Sequence, residues 1–254
     1  MPGSLSSEAL KYRRTPVLPL VVGSPAGLAL LCSWYVSEGD ASWDGLLRTV
    51  FEVWTMVFIP AGAALLAGIT SSLEEGAGRW ISLRTRPVHP AELLGGRLVL
   101  LSSCTLTSSL LIGMLTGACG LVLKADGKVP WETLLASGFI SWLCALPLLF
   151  LEVWVAEAWG AGAAAALGIA GVLIASLIGG TPLGGGPGGP WRYVPWAWPA
   201  RAVSLAISYF GPETPQQAGF PAGGILTHTC ASSLTLAAAL AAASLLWFSH
   251  SEAK

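Results

Sequence analysis

An all-α membrane protein with six transmembrane helices is the fold class this sequence predicts, and three observations predict it. Of its 254 residues 54% are hydrophobic and only 11% are charged, whereas a soluble domain averages about 25% charged residues. The shortage is concentrated in recurring apolar stretches of about twenty residues, enough at 1.5 Å rise per residue to cross a hydrocarbon core of about 30 Å. No segment between those stretches has the length and composition of a soluble domain, so residues 1–254 read as a single transmembrane domain.

The spans are expected at about 17–36, 50–71, 98–123, 133–151, 161–178 and 223–248. Lys11, Arg13 and Arg14 precede the first, as they would in a signal peptide. That run is long enough to span, however, and the remaining chain is equally apolar, so a span is expected rather than a cleaved leader. Basic residues are retained on the cytoplasmic side. Lys11, Arg13, Arg14, Arg79, Arg84, Arg86, Arg97 and Lys254 fall on one side of this layout, which places both termini in the cytoplasm. A short turn over 152–159 is expected on the same side, with Glu152 and Glu157 as helix-end residues facing water.

Small residues and prolines punctuate the spans. Gly23 and Gly27, and Gly113 and Gly117, are Gly-x-x-x-Gly pairs, and Gly160, Gly162, Gly168 and Gly171 lie in the fifth span. Such residues let helix backbones approach closely, either within the chain or against a second membrane subunit. Pro19, Pro25, Pro60 and Pro147 each remove a backbone donor inside a span. The cysteines, Cys32, Cys104, Cys119, Cys144 and Cys230, lie in apolar stretches without a Cys-x-x-Cys pair, and read as reduced, small apolar residues.

Several function classes are excluded or disfavoured. A net charge of −1 offers no basic patch for nucleic acid. No Gly-x-x-x-x-Gly-Lys-Ser/Thr motif exists, so the chain has no P-loop for ATP. His89, His228 and His250 are far apart and form no zinc motif. Glu74-Glu75-x-x-x-Arg79 resembles the first motif of CAAX-protease-like intramembrane peptidases, but no phenylalanine has a histidine four residues later.

Two segments between spans carry what chemical identity there is. LEEGAGRWISLRTRPVHPAE, over 73–92, is the most charged part of the chain. Glu74 and Glu75 can pair with Arg79 across a helical turn. This segment reads either as a solvated, topology-fixing loop or as a docking surface for a cytoplasmic partner. The segment 179–224 opens on a glycine-rich run and continues WRYVPWAWPARAVSLAISYF. Trp191, Tyr193, Trp196 and Trp198 read as an interfacial aromatic belt, and 200–210 as a short helix in the outer leaflet. The belt serves either as an anchor or as a contact surface for an amphipathic substrate. Glu52, just inside the second span, is either accommodated structurally or part of a polar pathway.

The layout resembles the permease subunits of type-two ABC exporters. Within that group, Glu74-Glu75-x-Gly and Pro195-Trp196-Ala197-Trp198-Pro199 resemble stretches of the lantibiotic-immunity permeases. The resemblance implies a cytoplasmic coupling helix between the second and third spans and short extracytoplasmic re-entrant helices between the fifth and sixth. It implies no catalytic residue and no cofactor or metal on this chain, with ATP and Mg bound by two copies of a separate ABC ATPase subunit. It further implies a second permease of different sequence, a bacterial cytoplasmic membrane, and expulsion of a membrane-active lanthipeptide for producer self-immunity. Glu74, Glu75, Arg79, Trp80, Arg84 and Arg86 would couple to the ATPase; Trp191, Tyr193, Trp196, Trp198 and Arg201 would form the substrate contact or gate. Export of another drug or a lipid-like substrate, and a passive membrane scaffold, are the competing expectations.

Overall fold

The computed structural model describes residues 15–39, 42–76, 90–186, 188–211 and 222–250. Its helices are α1 (Val17–Ser37), α2 (Trp43–Val53), α3 (Ile59–Gly76), α4 (Pro90–Val122), α5 (Trp131–Trp159), α6 (Ala161–Ile174), α7 (Trp198–Phe210) and α8 (Ala222–His250). No β-strand occurs among the described residues; a single parallel bridge joins Ser42 to Asp126. Six helical stretches are long and apolar enough to cross a membrane: Val17–Ser37, Trp43–Leu73, Glu92–Val122, Trp131–Trp159, Ala161–Gly179 and Gly223–His250. The protein is thus an all-α, multi-pass membrane protein, and each expected span is present.

The spans pack around α5, which touches α3, α4, α6, α7 and α8. Two buried clusters divide the bundle along its length. One gathers Val17, Leu94, Val153 and Phe248 near the chain termini; the other gathers Trp43, Leu134, Trp191 and Ile225 at the opposite end. These ends are called the near end and the far end below.

The second span starts earlier than hydropathy alone places it. Ser42 caps α2 by accepting a hydrogen bond from the Gly45 N–H at 3.1 Å, a cap worth about 1 kcal/mol. Trp43, Leu46, Leu47, Val50 and Phe51 are buried on one face. Asp44, Arg48 and Glu52 recur every four residues and form a polar stripe on the other. At 1.5 Å per residue the Trp43–Leu73 stretch is about 45 Å long, beyond the ~30 Å hydrocarbon core. The stretch is thus longer than one crossing needs, and the exposed Arg48 and Glu52 lie on its amphipathic opening turns.

A π-helical turn over Trp54–Phe58 joins α2 to α3. The Ile59 N–H donates to the Trp54 carbonyl five residues back, and Pro60 next along has no N–H to offer. In a regular helix the Pro60 ring would clash with the carbonyl four residues before it. The wider turn removes that clash, so the sequence cause of the irregularity is Pro60. A second π-helical turn, Ala175–Gly179, ends α6 and packs against the first.

Side-chain hydroxyls stitch the helices together. Ser108 donates to the Val21 carbonyl at 2.9 Å, Ser233 to that of Leu143 at 3.1 Å, and Ser71 to that of Ala156 at 3.1 Å. Small residues fulfil the packing role expected of them at several positions. A Cβ on Gly113 would lie 2.8 Å from the Leu134 carbonyl oxygen, one on Gly138 2.6 Å from that of Ser109, and one on Gly168 2.4 Å from the Ala64 methyl. Gly23 and Gly27 differ: a Cβ at either would meet nothing within 4 Å. Between α5 and α6 the chain turns at Gly160 alone, at φ +89, a left-handed conformation that favours glycine.

That tight turn corrects the expectation of a water-facing loop over 152–159. Glu152 lies inside α5, only 2% exposed, and its Oε2 has no hydrogen-bond partner among the described residues. Glu157 is likewise inside α5 and turned toward α4. Arg97 was expected in the loop before the third span. Instead α4 begins at Pro90, and Arg97 is buried two turns into it.

Candidate functional site

At the near end, the helices that flank residues 77–89 are locked by a polar network. The Arg97 guanidinium of α4 pairs through Nη1 with Oε1 of Glu157 on α5. Its Nη2 donates to Thr70 Oγ1 on α3 at 2.5 Å, and Thr70 donates in turn to the Leu66 carbonyl at 2.7 Å. Ser71, one residue on, bonds to the α5 backbone. Both charges and every hydroxyl of this network are engaged, as burial demands. Glu74 and Glu75 continue the last turns of α3, with side chains outside the described residues. Arg79, Trp80, Arg84 and Arg86 lie wholly outside them.

At the far end, α6 and α7 are joined by three short 3₁₀ turns, Pro182–Gly184, Pro190–Tyr193 and Pro195–Ala197. Each begins with a proline, whose fixed φ and missing N–H suit the first position of a turn. α7 follows directly, with Pro199 in its first turn. The short helix expected from residue 200 is present and begins at Trp198. It packs against α5, α8 and α2, and the Thr133 hydroxyl ties it to α5 by donating to the Phe210 carbonyl at 2.6 Å.

The expected aromatic belt is only partly a belt. Trp191 and Trp198 are 2% and 7% exposed and belong to the far-end core. Each indole N–H is satisfied by backbone: Trp191 Nε1 donates to the Gly186 carbonyl at 3.0 Å, Trp198 Nε1 to that of Arg192 at 2.9 Å. Trp196 is half-buried over Gly171 of α6, where a Cβ would come within 2.5 Å of its Nε1. Tyr193 alone of the four aromatic residues projects outward, 87% exposed. The tryptophans turn inward because this irregular segment needs side-chain anchors and its own carbonyls need donors.

Arg201 acts as a clamp. Its Nη2 donates to the Ile178 carbonyl at 3.2 Å and the Thr181 carbonyl at 2.7 Å. A guanidinium at a helix C-terminus satisfies carbonyls that have no helical partner and complements the dipole. Burial lowers its pKa from the ordinary arginine value. The absence of a Cβ on Gly184 makes room, since one there would lie 2.6 Å from Nη2.

Beside this clamp is a polar cavity of about 170 Å³, lined by Arg48, Glu52, Thr55 and Met56 on the second span and by Gly180, Arg201 and Ser204 on the side of α7 and the segment before it. The two π-helical turns form adjoining walls. The charged stripe of α2 was the sequence signal for this cavity, since Asp44, Arg48 and Glu52 recur at the helical period. Arg201 is distant in sequence and joins them only through the fold. No group of histidine, cysteine and carboxylate side chains able to hold a metal occurs among the described residues.

The fold thus defines a polytopic, all-helical membrane protein with an irregular segment between its last two spans. Residues 4–176, more than half of the chain, match the family model described as ABC-2 family transporter protein, and the chain belongs to that family. It is a membrane transport component of the ABC type. No match was found among curated proteins or among solved structures.

Proposed function

We propose that the protein is the permease subunit of an ATP-driven exporter that removes a membrane-inserted lanthipeptide antibiotic and so protects the producing cell. Membership of the ABC-2 family carries the first half of this reading. With no P-loop in the sequence, the energy comes from two copies of an ATPase subunit, bound at the near end with both termini in the cytoplasm of a bacterial cell. The charged residues Glu74, Glu75, Arg79, Arg84 and Arg86, with Trp80, form the docking segment. The Arg97–Glu157–Thr70 network supports this role, because it makes α3, α4 and α5 one rigid unit on which a force applied to 77–89 can act.

The outer face supports the cargo assignment. Tyr193 and Trp196 stand on a segment stiffened by prolines and anchored by Trp191, Trp198 and Arg201, suited to contacting an amphipathic peptide in the interfacial region. A second permease completes the complex. The open face of α1 at Gly23 and Gly27 supports close approach of its helices.

Copurification of the tagged chain from its native cell tests the first half. A P-loop ATPase is expected in stoichiometric amount, and its absence from an active preparation overturns the transporter reading. Expression in a lanthipeptide-sensitive host, together with the ATPase and the second permease, tests the cargo. Export of an unrelated drug without lanthipeptide protection would overturn the immunity assignment while leaving the permease assignment standing.

A further inference from the structure

We propose that the far-end cavity between α2 and α7 is a binding site for a zwitterionic ammonium–phosphate head group of the phosphoethanolamine type. The inference is independent of the identity of the exported cargo.

The cavity is about 170 Å³, an order of magnitude more than the roughly 10–15 Å³ that one water needs. Its charges are separated rather than paired. The Glu52 carboxylate makes no hydrogen bond or ion pair among the described residues. Arg48 uses its Nε on Asp44 at 2.7 Å, leaving its terminal nitrogens uncommitted. Arg201 is fixed through Nη2 to two backbone carbonyls, and Nη1 makes no hydrogen bond among the described residues. A carboxylate and two arginine forks thus face one space without meeting within 4 Å. Arg48 and Glu52 are exposed on this wall and Arg201 is half-buried behind them, so all three charges are open to a ligand entering the cavity from outside.

A ligand with an ammonium for Glu52 and a phosphate for Arg48 and Arg201 satisfies all three by charge-assisted hydrogen bonds. Thr55 and Ser204 complete the polar wall. An ammonium with N–H donors fits better than a quaternary one. Quaternary amines are held by aromatic cages, and among the described residues Phe51 is the single aromatic along this wall. A purely anionic head group would leave Glu52 unpaired and repelled.

The purified full-length chain in nanodiscs, or its complex, is titrated with phosphatidylethanolamine, phosphatidylcholine and phosphatidylglycerol, and separately with free phosphoethanolamine. Saturable binding of the ethanolamine form is expected, with Glu52→Gln weakening it about tenfold, the loss of one charge-assisted hydrogen bond. Binding of the lipid alone identifies a bilayer lipid as the source; binding of free phosphoethanolamine identifies the soluble head group. Ser204→Trp, a substitution at an exposed α7 position on the cavity wall, provides the second variant and should block the site in a normally folded protein. Equal binding of all three lipids without saturable phosphoethanolamine binding overturns the proposal. So does a preference that survives both substitutions.

Discussion

The Arg97 guanidinium and the Glu157 carboxylate, sixty positions apart in sequence, form an ion pair with side chains only 3% and 8% exposed. The pair bonds α4 to α5 at the edge of the near-end core, and Thr70 extends it to α3. The helices α3 and α4 on either side of 77–89 therefore cannot move apart without breaking the buried Arg97–Thr70 hydrogen bond.

Glu157→Ala should destabilise the folded protein by about 3–5 kcal/mol, because it removes the buried carboxylate that pairs with the Arg97 guanidinium. Arg97→Met combined with Glu157→Leu should recover most of the loss, since an apolar pair of similar volume avoids the desolvation penalty altogether. Thermal unfolding of the parent, Arg97→Met, Glu157→Leu and the double variant in one detergent measures the coupling. Additive losses would show that the pair carries no mutual stabilisation.

Gly171→Ala should cost about 1–3 kcal/mol, the usual range for overpacking, because its methyl would sit 2.5 Å from the Trp196 indole nitrogen. Gly162→Ala is the matched control, nine residues earlier on the same helix, where a Cβ meets nothing within 4 Å. Standing in the first turn of α6, it should be neutral or slightly stabilising. Equal behaviour of the two in unfolding measurements would separate Trp196 from α6.

The spans were legible because length and apolarity are local properties of the chain. The partners of charges were not, and each misreading has that cause. Arg97 looks like a loop residue to any scheme that counts charges near span ends; only the approach of Glu157 makes a membrane helix able to bury it. Glu152 sits among leucines and valines of α5 and looks like a terminus, until the turn at Gly160 shows where the helix ends. Trp191 and Trp198 share the sequence signature of an interfacial belt, yet the irregular backbone around them draws their N–H groups inward. The polar stripe of α2 was legible by its period of four, but an apolar-window reading starts the span at residue 50 and cuts the stripe in two.

If 77–89 is the docking segment, the ATPase and transport should separate when its acidic lead is removed. Glu74→Ala with Glu75→Ala should leave membrane insertion and ATP hydrolysis by the partner in place. Lanthipeptide protection should fall about tenfold or more, a loss within the ordinary range of coupling free energies. Quantitative immunoblotting of the membrane fraction, ATPase assay of the complex and growth inhibition make the three readouts. Undiminished protection at normal expression would remove these residues from the coupling role.

Trp198 and Tyr193 should part company, although five residues separate them on one segment. Trp198 is core: its ring is buried and its N–H holds the Arg192 carbonyl, so Trp198→Ala should cost about 3–5 kcal/mol and reduce the amount of folded protein. Tyr193 is almost fully exposed, and Tyr193→Ala should leave stability within about 0.5 kcal/mol of the parent, as surface substitutions do. A cargo contact would nonetheless make Tyr193→Ala weaken protection at full expression, with Tyr193→Trp restoring it because an amphipathic ring is retained. Protection that tracks only the quantity of folded protein across Trp198→Ala, Tyr193→Ala and Tyr193→Trp would assign the whole segment to structure and none of it to the cargo.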